Sequence, residues 1–284
     1  MTEDMFGLHG KTALITGGGG ALGGAMALAL SERGAAIALL DLRESAAAEA
    51  AGRIMATGGR AIGVACDVLD DASLAAAAGR VVSEFGRVHI LINAAGGNAP
   101  AATASKETAE PGDVFDRPEG TRLFFDLATA DLRRILDLNL LGTLLPCRAF
   151  GRIMAEHGSG AIVNISSMTA SRPLTKVVAY SAAKAGVSNF TRWLATHLAP
   201  VHVRVNAIAP GFFLTEQNRF LLTDEKTGGL TARGRAVIAH TPMGRFGTGR
   251  DLAGVLVWLA SDASSFVTGA VIPVDGGFSA YSGV

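Results

Sequence analysis

Short apolar runs and longer helix-period segments alternate along most of the chain. Runs rich in Val, Ile, Leu and Ala at 12–16, 36–41, 61–66, 88–93, 161–166, 202–208 and 270–274 read as strands. Segments at 22–33, 44–57, 71–86, 129–156, 180–198 and 251–261 read as helices. The strands lack a strict period of two, which suits a parallel sheet covered on both faces. The expected fold class is therefore α/β: one doubly wound domain over 1–284, a seven-stranded parallel sheet with helices on both faces. In such a fold the ligand sits at the carboxyl ends of the strands. There is no internal repeat beyond the alternation and no linker between two domains.

Two segments interrupt the pattern. Residues 97–127 form a long Ala/Thr/Pro/Gly-rich loop carrying Lys106, Glu107, Asp113, Asp116 and Arg117, and residues 212–249 follow Pro210-Gly211. Long loops inside compact domains are usually functional or mobile, so both are expected to border a substrate.

The densest chemistry lies at the first strand. Lys11-Thr12-Ala13-Leu14-Ile15-Thr16 runs into Gly17-Gly18-Gly19-Gly20-Ala21-Leu22-Gly23-Gly24 and then a helix. Glycines let backbone approach a pyrophosphate, and a helix N-terminus offers free N–H groups and a positive dipole end. Gly18, Gly20 and Gly23 fit Gly-x-Gly-x-x-Gly, a cheap match in so glycine-rich a stretch, and a plain flexible turn is the alternative. The next strand, Ala36-Ile37-Ala38-Leu39-Leu40, ends in Asp41, where a dinucleotide site needs an acid for ribose hydroxyls. An acid there repels the extra phosphate of NADP and favours NAD(H). Arg43, two residues on, reads either as a cation that softens that preference or as a solvated charge at a helix start.

A second constellation lies past the middle of the chain. Tyr180 and Lys184, in Tyr180-Ser181-Ala182-Ala183-Lys184, fall on one helix face, and Ser166-Ser167 closes an apolar run upstream. A phenol with a reference pKa of about 10 needs a nearby cation for acid/base work near neutrality. Lys184 can supply it. Alone, the pair also reads as a packed Tyr beside a solvated Lys.

Together these residues resemble the short-chain dehydrogenase/reductase superfamily, from about residue 8 to the C-terminus. Thr16-Gly17 to Gly23 is similar to the family's Thr-Gly-x-x-x-Gly-x-Gly turn, with Ala21 standing where the family has its second glycine. Asp67-Val68 matches the adenine-side contact, and Asn93-Ala94-Ala95-Gly96 the Asn-Ala-Gly motif. Pro210-Gly211 and Thr215 match the segment beside the nicotinamide, and Asp275-Gly276-Gly277 the closing motif. Ser167, thirteen residues before Tyr180, has the family's catalytic spacing.

The resemblance implies a Rossmann fold, NAD(H) as cofactor, no metal, and a homotetramer. It implies Asn139, Ser167, Tyr180 and Lys184 as the catalytic set. Tyr180 would be proton donor or acceptor, Ser167 would hold the substrate oxygen, and Lys184 would lower the Tyr180 pKa and bind the nicotinamide ribose. Asn139 would keep a water in line as proton carrier. The cofactor set implied is Gly17, Gly19, Gly20, Ala21, Leu22, Gly23, Asp41, Asp67, Val68, Asn93, Ala94, Gly96, Tyr180, Lys184, Pro210, Gly211, Phe213 and Thr215. Residues 212–249 become the substrate lid.

Composition adds exclusions. Lys+Arg and Asp+Glu number 25 each, so no charge excess argues for nucleic acid. The acidic start Met1-Thr2-Glu3-Asp4 lacks a signal-peptide layout and no apolar run reaches a membrane-spanning length of about 18, so a cytoplasmic protein is expected. Cys66 and Cys147 lack metal-ligand spacing and read as buried free thiols.

The substrate is read from polar residues expected near Tyr180: Asn98, then Arg172 and Lys176 in Ser171-Arg172-Pro173-Leu174-Thr175-Lys176, then Gln217-Asn218-Arg219. Cations among amides and hydroxyls suit a polar, anionic molecule, for which Asn98, Arg172, Lys176 and Arg219 are the candidate contacts. Gly96-Gly97-Asn98 with the long loop, and Pro210 to Arg219, resemble the D-mannonate (fructuronate) oxidoreductase subgroup, which implies a sugar acid. The alternatives are another carbonyl substrate such as a 3-oxoacyl thioester, or a non-enzymatic NAD-binding protein, which would not need all four catalytic groups.

Overall fold

A computed structural model describes residues 4–116, 118–215, 218–224 and 227–283. Its centre is one sheet of seven parallel strands: β1 (Thr12–Thr16), β2 (Ala36–Asp41), β3 (Ala61–Ala65), β4 (Ile90–Asn93), β5 (Gly160–Ile165), β6 (Val203–Pro210) and β7 (Val271–Val274). Their order is β3-β2-β1-β4-β5-β6-β7, so the chain reverses direction across the sheet between β1 and β4. There the register puts Thr16 beside Asn93 and Asn93 beside Asn164.

Residues of the five inner strands, β1, β2, β4, β5 and β6, alternate between two buried faces, which is why the sequence shows apolar runs rather than alternation. Ala13, Ile15, Ile37, Leu39, Ile90 and Ile92 face a core closed by α1 (Ala21–Ser31), α2 (Glu44–Ala56) and α10 (Gly249–Ala260). Leu14, Ala38, Leu40 and Leu91 face the opposite core, under α3 (Asp71–Phe85), α6 (Gly142–Glu156) and α7 (Val178–Leu198). Alanine and glycine let the helices approach closely: a Cβ on Gly249 would lie 2.4 Å from the Cβ of Ala25. Among the described residues no helix is long and apolar enough to cross a membrane.

The expected helix 129–156 is divided. It runs as α5 (Thr129–Leu136), one π-helical turn over Asp137–Leu141, and α6. Pro146, inside α6, has no N–H for the carbonyl one turn earlier, and a widened turn absorbs such a defect. Asn139 sits in that turn, fully buried.

The two interrupting segments are partly ordered into elements. The first contains α4 (Pro111–Phe115) and short 3-10 turns at Pro100–Ala102 and Phe124–Asp126. Arg122 donates through Nε to the Thr103 carbonyl at 2.9 Å and through its terminal nitrogen to the Pro100 carbonyl, and Lys106 pairs with the buried Asp113. The second holds α8 (Arg219–Leu222) and α9 (Ala232–Ala239), with bridges Phe213 to Gly247 and Thr223 to Leu230. Arg117 and Gln217, singled out in the sequence, lie outside the described residues.

Candidate active site

A cleft of about 480 Å³ opens at the carboxyl ends of the strands. Its floor begins at the glycine turn, whose shape leaves no room for side chains. A Cβ on Gly17, at φ 64°, would lie 2.9 Å from the Ala95 backbone, and one on Gly23 would lie 2.2 Å from the Gly17 carbonyl oxygen. Gly20 caps α1 without a side-chain hydrogen bond, so the first N–H groups of the helix are left for a ligand. Gly17, Gly20, Ala21, Leu22 and Gly23 all line the cleft. Ala21 is exposed and its methyl borders the cleft where a glycine was expected.

At the far end Asp41 is held by two backbone donors: Gly19 N–H to Oδ2 and Arg43 N–H to Oδ1, each at 3.1 Å. A carboxylate accepts more than one bond per oxygen, so capacity remains for hydroxyl groups. Arg43 lines the same cleft, as do Asp67 and Val68, with the Asp67 carboxylate accepting from Leu69 N–H at 2.9 Å. The residues present thus fit a dinucleotide: backbone donors for a pyrophosphate, an acid for ribose hydroxyls.

Ser167, Tyr180 and Lys184 come together at the other end of the cleft. Ser167 stands at the end of β5 and accepts a bond from Thr169 N–H at 3.2 Å. Its hydroxyl also meets the Tyr180 phenol, which offsets part of a pKa rise caused chiefly by burial. Lys184, buried beneath, donates from Nζ to the Ile165 carbonyl at 2.8 Å, and its ammonium lies 5.7 Å from the centre of the Tyr180 ring. Burial pulls its pKa down to about 8. The net shift of Tyr180 is therefore upward, not the depression that was expected. Desolvation dominates for the phenol, and the same burial weakens the charge that was to counter it.

Asn139 is the near neighbour of this group across Gly96. A Cβ on Gly96 would fall 2.7 Å from Asn139 Oδ1 and 3.4 Å from Lys184 Nζ. The amide is already spent: Nδ2 donates to the Gly97 and Ile135 carbonyls at 2.7 and 2.9 Å, and Oδ1 accepts from Gly97 N–H at 3.0 Å. Asn139 thus pins the strand-end backbone against Lys184, and its side chain has no donor left to hold the expected water.

Other expected residues divide. Ala94, Gly96, Pro210, Gly211, Phe213 and Thr215 line the cleft. Asn93 does not: it points into the core, donating to Asn164 Oδ1 at 2.9 Å and meeting Cys147 Sγ at 3.1 Å. Gly19 contributes its N–H to Asp41 rather than a wall, since its α-carbon side faces Ala46. None of the four candidate substrate contacts lines the cleft. Asn98 is exposed and donates to Thr103 Oγ1 at 2.9 Å, Arg172 donates to the Tyr281 carbonyl at 2.9 Å, and Arg219 is exposed on α8. Lys176 faces a separate cavity. Both cysteines are buried free thiols, but Cys66 also borders the cleft.

Sequence reasoning missed the Ile165 carbonyl and Ser166. Ser166 Oγ donates to the Lys184 carbonyl at 3.1 Å and lies 2.6 Å from Ser188 Oγ, tying β5 to the catalytic helix. A backbone oxygen has no sequence signal, but the doublet Ser166-Ser167 with Ser188 one turn past Lys184 was one.

Known proteins are consistent with this geometry. The family model described as enoyl-(acyl carrier protein) reductase matches residues 19–279. An uncharacterized oxidoreductase, UxuB, of Bacillus subtilis is 48% identical over 98% of both chains. The D-threitol dehydrogenase of Mycolicibacterium smegmatis is 39% identical over 96% of this chain and 94% of its own length. Among solved structures, a candidate D-mannonate oxidoreductase of Haemophilus influenza with bound NAD superposes with TM-score 0.91 at 45% identity, covering 98% of each chain. The chain belongs to the short-chain dehydrogenase/reductase superfamily and is an oxidoreductase of that class.

Proposed function

We propose that the protein is an NAD(H)-dependent dehydrogenase interconverting a secondary alcohol and a ketone on a polyhydroxylated carboxylate of sugar-acid size, the D-mannonate/D-fructuronate pair being first. The observation that carries the reaction class is the meeting of Ser167, Tyr180 and Lys184 in the cleft that also holds the glycine turn and Asp41. Asp41 supports NAD(H) over NADP(H), and the solved relative with bound NAD points the same way. The sugar acid is supported by that relative's description as a candidate D-mannonate oxidoreductase. The substrate carboxylate would need a cation, and Arg172 is the first choice: it does not line the cleft and would have to turn toward it, but its guanidinium is held by a carbonyl and not neutralised. A neutral polyol is the second reading, favoured by the identity to D-threitol dehydrogenase. The homotetramer, the cytoplasmic setting and the lid role of 212–249 belong to the same proposal.

In this reading the bound nicotinamide supplies or accepts the hydride. Ser167 holds the substrate oxygen by a hydrogen bond. Tyr180 gives its proton to that oxygen in reduction and takes the alcohol proton in oxidation. Lys184, protonated below about pH 8, balances negative charge on the phenol oxygen. Asn139 and Ser166 keep Gly97 and the catalytic helix in register around it.

The test is a panel of hexuronates, aldonates, neutral polyols and 3-oxoacyl thioesters, assayed with NAD(H) and NADP(H) by nicotinamide absorbance. D-mannonate or D-fructuronate with NAD(H) is expected to give the highest kcat/KM, and a response to thioesters alone overturns the substrate. Tyr180→Phe should lower kcat by about 10²–10⁴-fold and leave NADH binding nearly unchanged. Retention of a tenth of wild-type kcat would remove Tyr180 from its role.

A further inference from the structure

Asn218 lines the cleft, yet it takes no part in the chemistry proposed for it. It stands at the N-cap of α8, where an asparagine ordinarily accepts a bond from the second or third N–H of its own helix. Here its side chain makes no such bond. It turns back along the chain instead: Nδ2 donates to the Phe213 carbonyl at 2.7 Å, and Oδ1 accepts from Thr215 N–H at 2.8 Å. Both ends of the amide thus grip the residues that lead into the second interrupting segment, and the short helix goes without its cap.

The consequence falls on Thr215. Its N–H is taken by Asn218 Oδ1, and its carbonyl accepts from the N–H groups of Asn218 at 3.1 Å and Arg219 at 2.9 Å. The main chain of Thr215 is therefore engaged on both sides, while its hydroxyl has no hydrogen-bond partner among the described residues and the residue borders the cleft. A hydroxyl on a held main chain, facing open space, is ready for a ligand. A separate anchor lies just upstream, where Leu214 N–H donates to the Gly247 carbonyl at 3.1 Å and Gly247 N–H to the Phe212 carbonyl at 2.9 Å. That anchor fixes 212–214 and stops short of Thr215, which is left to Asn218.

Strand order says which end of a dinucleotide the hydroxyl meets. Asp41 ends β2, Ser167 follows β5 and Thr215 follows β6, so Thr215 lies beyond Ser167 as seen from Asp41. A cofactor with its adenine ribose at Asp41 brings its nicotinamide toward Thr215. The carboxamide of that ring both donates and accepts, and a hydroxyl can answer either way.

We infer that Asn218 is a positioning residue: it fixes the main chain of Thr215 so that the Thr215 hydroxyl holds the nicotinamide carboxamide and seats the ring against Ser167 and Tyr180. The inference rests on the NAD(H) reading of the cleft, and adds to it the side chain that aims Thr215. Asn218 acts through Thr215 and the Phe213 carbonyl, with no contact of its own to the reacting atoms.

The test is calorimetric titration of the whole protein with NADH and with ADP-ribose, which keeps the adenosine and pyrophosphate and lacks the nicotinamide. Asn218→Ala is expected to weaken NADH by about tenfold and to leave ADP-ribose within about twofold, which also shows that the cleft is still folded. Thr215→Val keeps the shape, deletes the hydroxyl and should weaken NADH by a similar factor. The double variant should lose no more than either single one, because two residues that act through one contact are not additive. NADH affinity unchanged in Asn218→Ala, equal losses for NADH and ADP-ribose, or losses that multiply in the double variant would overturn the role. Failure of the reading beneath it looks different: a wild type that binds neither ligand removes the NAD(H) reading and this role together.

Discussion

Two loops leave the carboxyl ends of adjacent strands and are built on opposite principles. The turn after β1, residues 17–20, is shaped by backbone pressed against backbone: a Cβ on Gly18 would lie 3.0 Å from Leu39 Cα, and one on Gly19 would lie 2.8 Å from the Ala46 carbonyl carbon. The loop after β4, residues 94–128, is held instead by polar ties between its own parts, and a Cβ on Gly97 or Gly120 would meet nothing within 4 Å. A cradle made of main chain admits almost no substitution. A loop made of side-chain ties can be re-cut without disturbing the sheet beneath it, which is where specificity is free to change.

The sharpest break of that comparison is Gly23→Ala. The new methyl would sit 2.2 Å from the Gly17 carbonyl, and neither atom belongs to a flexible side chain. We expect at least a hundredfold loss of NADH affinity by fluorescence titration. Gly120→Ala in the second loop has open space and only its positive φ against it, and should leave that affinity within about threefold. Similar losses for the two would mean that both loops are equally rigid.

Next in size is the acid at the end of β2. Among the described residues Asp41 is held by two backbone N–H groups, and Arg43 borders the same end of the cleft. NAD(H) should be preferred over NADP(H) by about tenfold or more in kcat/KM, a charge clash exceeding 1.4 kcal/mol. Asp41→Ala should narrow the gap. Equal use of both cofactors by the unaltered protein would show that Arg43 cancels the acid.

The two loops meet over Lys184, beneath Gly96, and there function opposes stability. Its pKa is lowered by burial from 10.5 to about 8, so between pH 8 and 10.5 the unfolded chain holds a proton that the folded chain has lost. Stability from this group therefore rises with pH across that window, and below pH 8 the fold carries the cost of a buried charge. Lys184→Met should raise Tm at pH 7 by a few degrees, on the order of 1–3 kcal/mol after loss of the bond to Ile165, while turnover collapses. It should also flatten the rise between pH 8 and 10.5. A lower Tm in the variant would show that the Ile165 bond outweighs desolvation.

What the sequence made legible follows the same division. The sheet could be read because its inner strands are buried on both faces and appear as apolar runs. The glycine turn could be read because a close backbone approach leaves glycine as its trace, and the Tyr180 to Lys184 spacing because a helix repeats every 3.6 residues. The π-turn at Asn139 could not, since it arises from Pro146 and from bonds to Gly97, far away in sequence. Nor could the fates of Arg172 and Lys176: both are cations in one short loop, yet one is turned to the Tyr281 carbonyl and the other to a separate cavity. Charge and spacing cannot say which way a loop side chain turns.

The smallest expected effect tests the second loop directly. Arg122 ties its two ends through bonds to the Thr103 and Pro100 carbonyls, while its backbone N–H donates to Ser105 Oγ at 2.8 Å. Arg122→Met removes the guanidinium bonds and keeps the backbone one, and the freed carbonyls are near enough to the surface to take up water. Hydrogen exchange of amides in 99–123 should quicken, Tm should fall by no more than about 2 °C, and NADH affinity should not move. KM for the substrate, by contrast, should rise severalfold if this loop borders the bound molecule. A loss of NADH affinity as large as that of Gly23→Ala would mean that the second loop, too, is part of the cradle, and that its polar ties carry a rigidity here assigned to glycine alone.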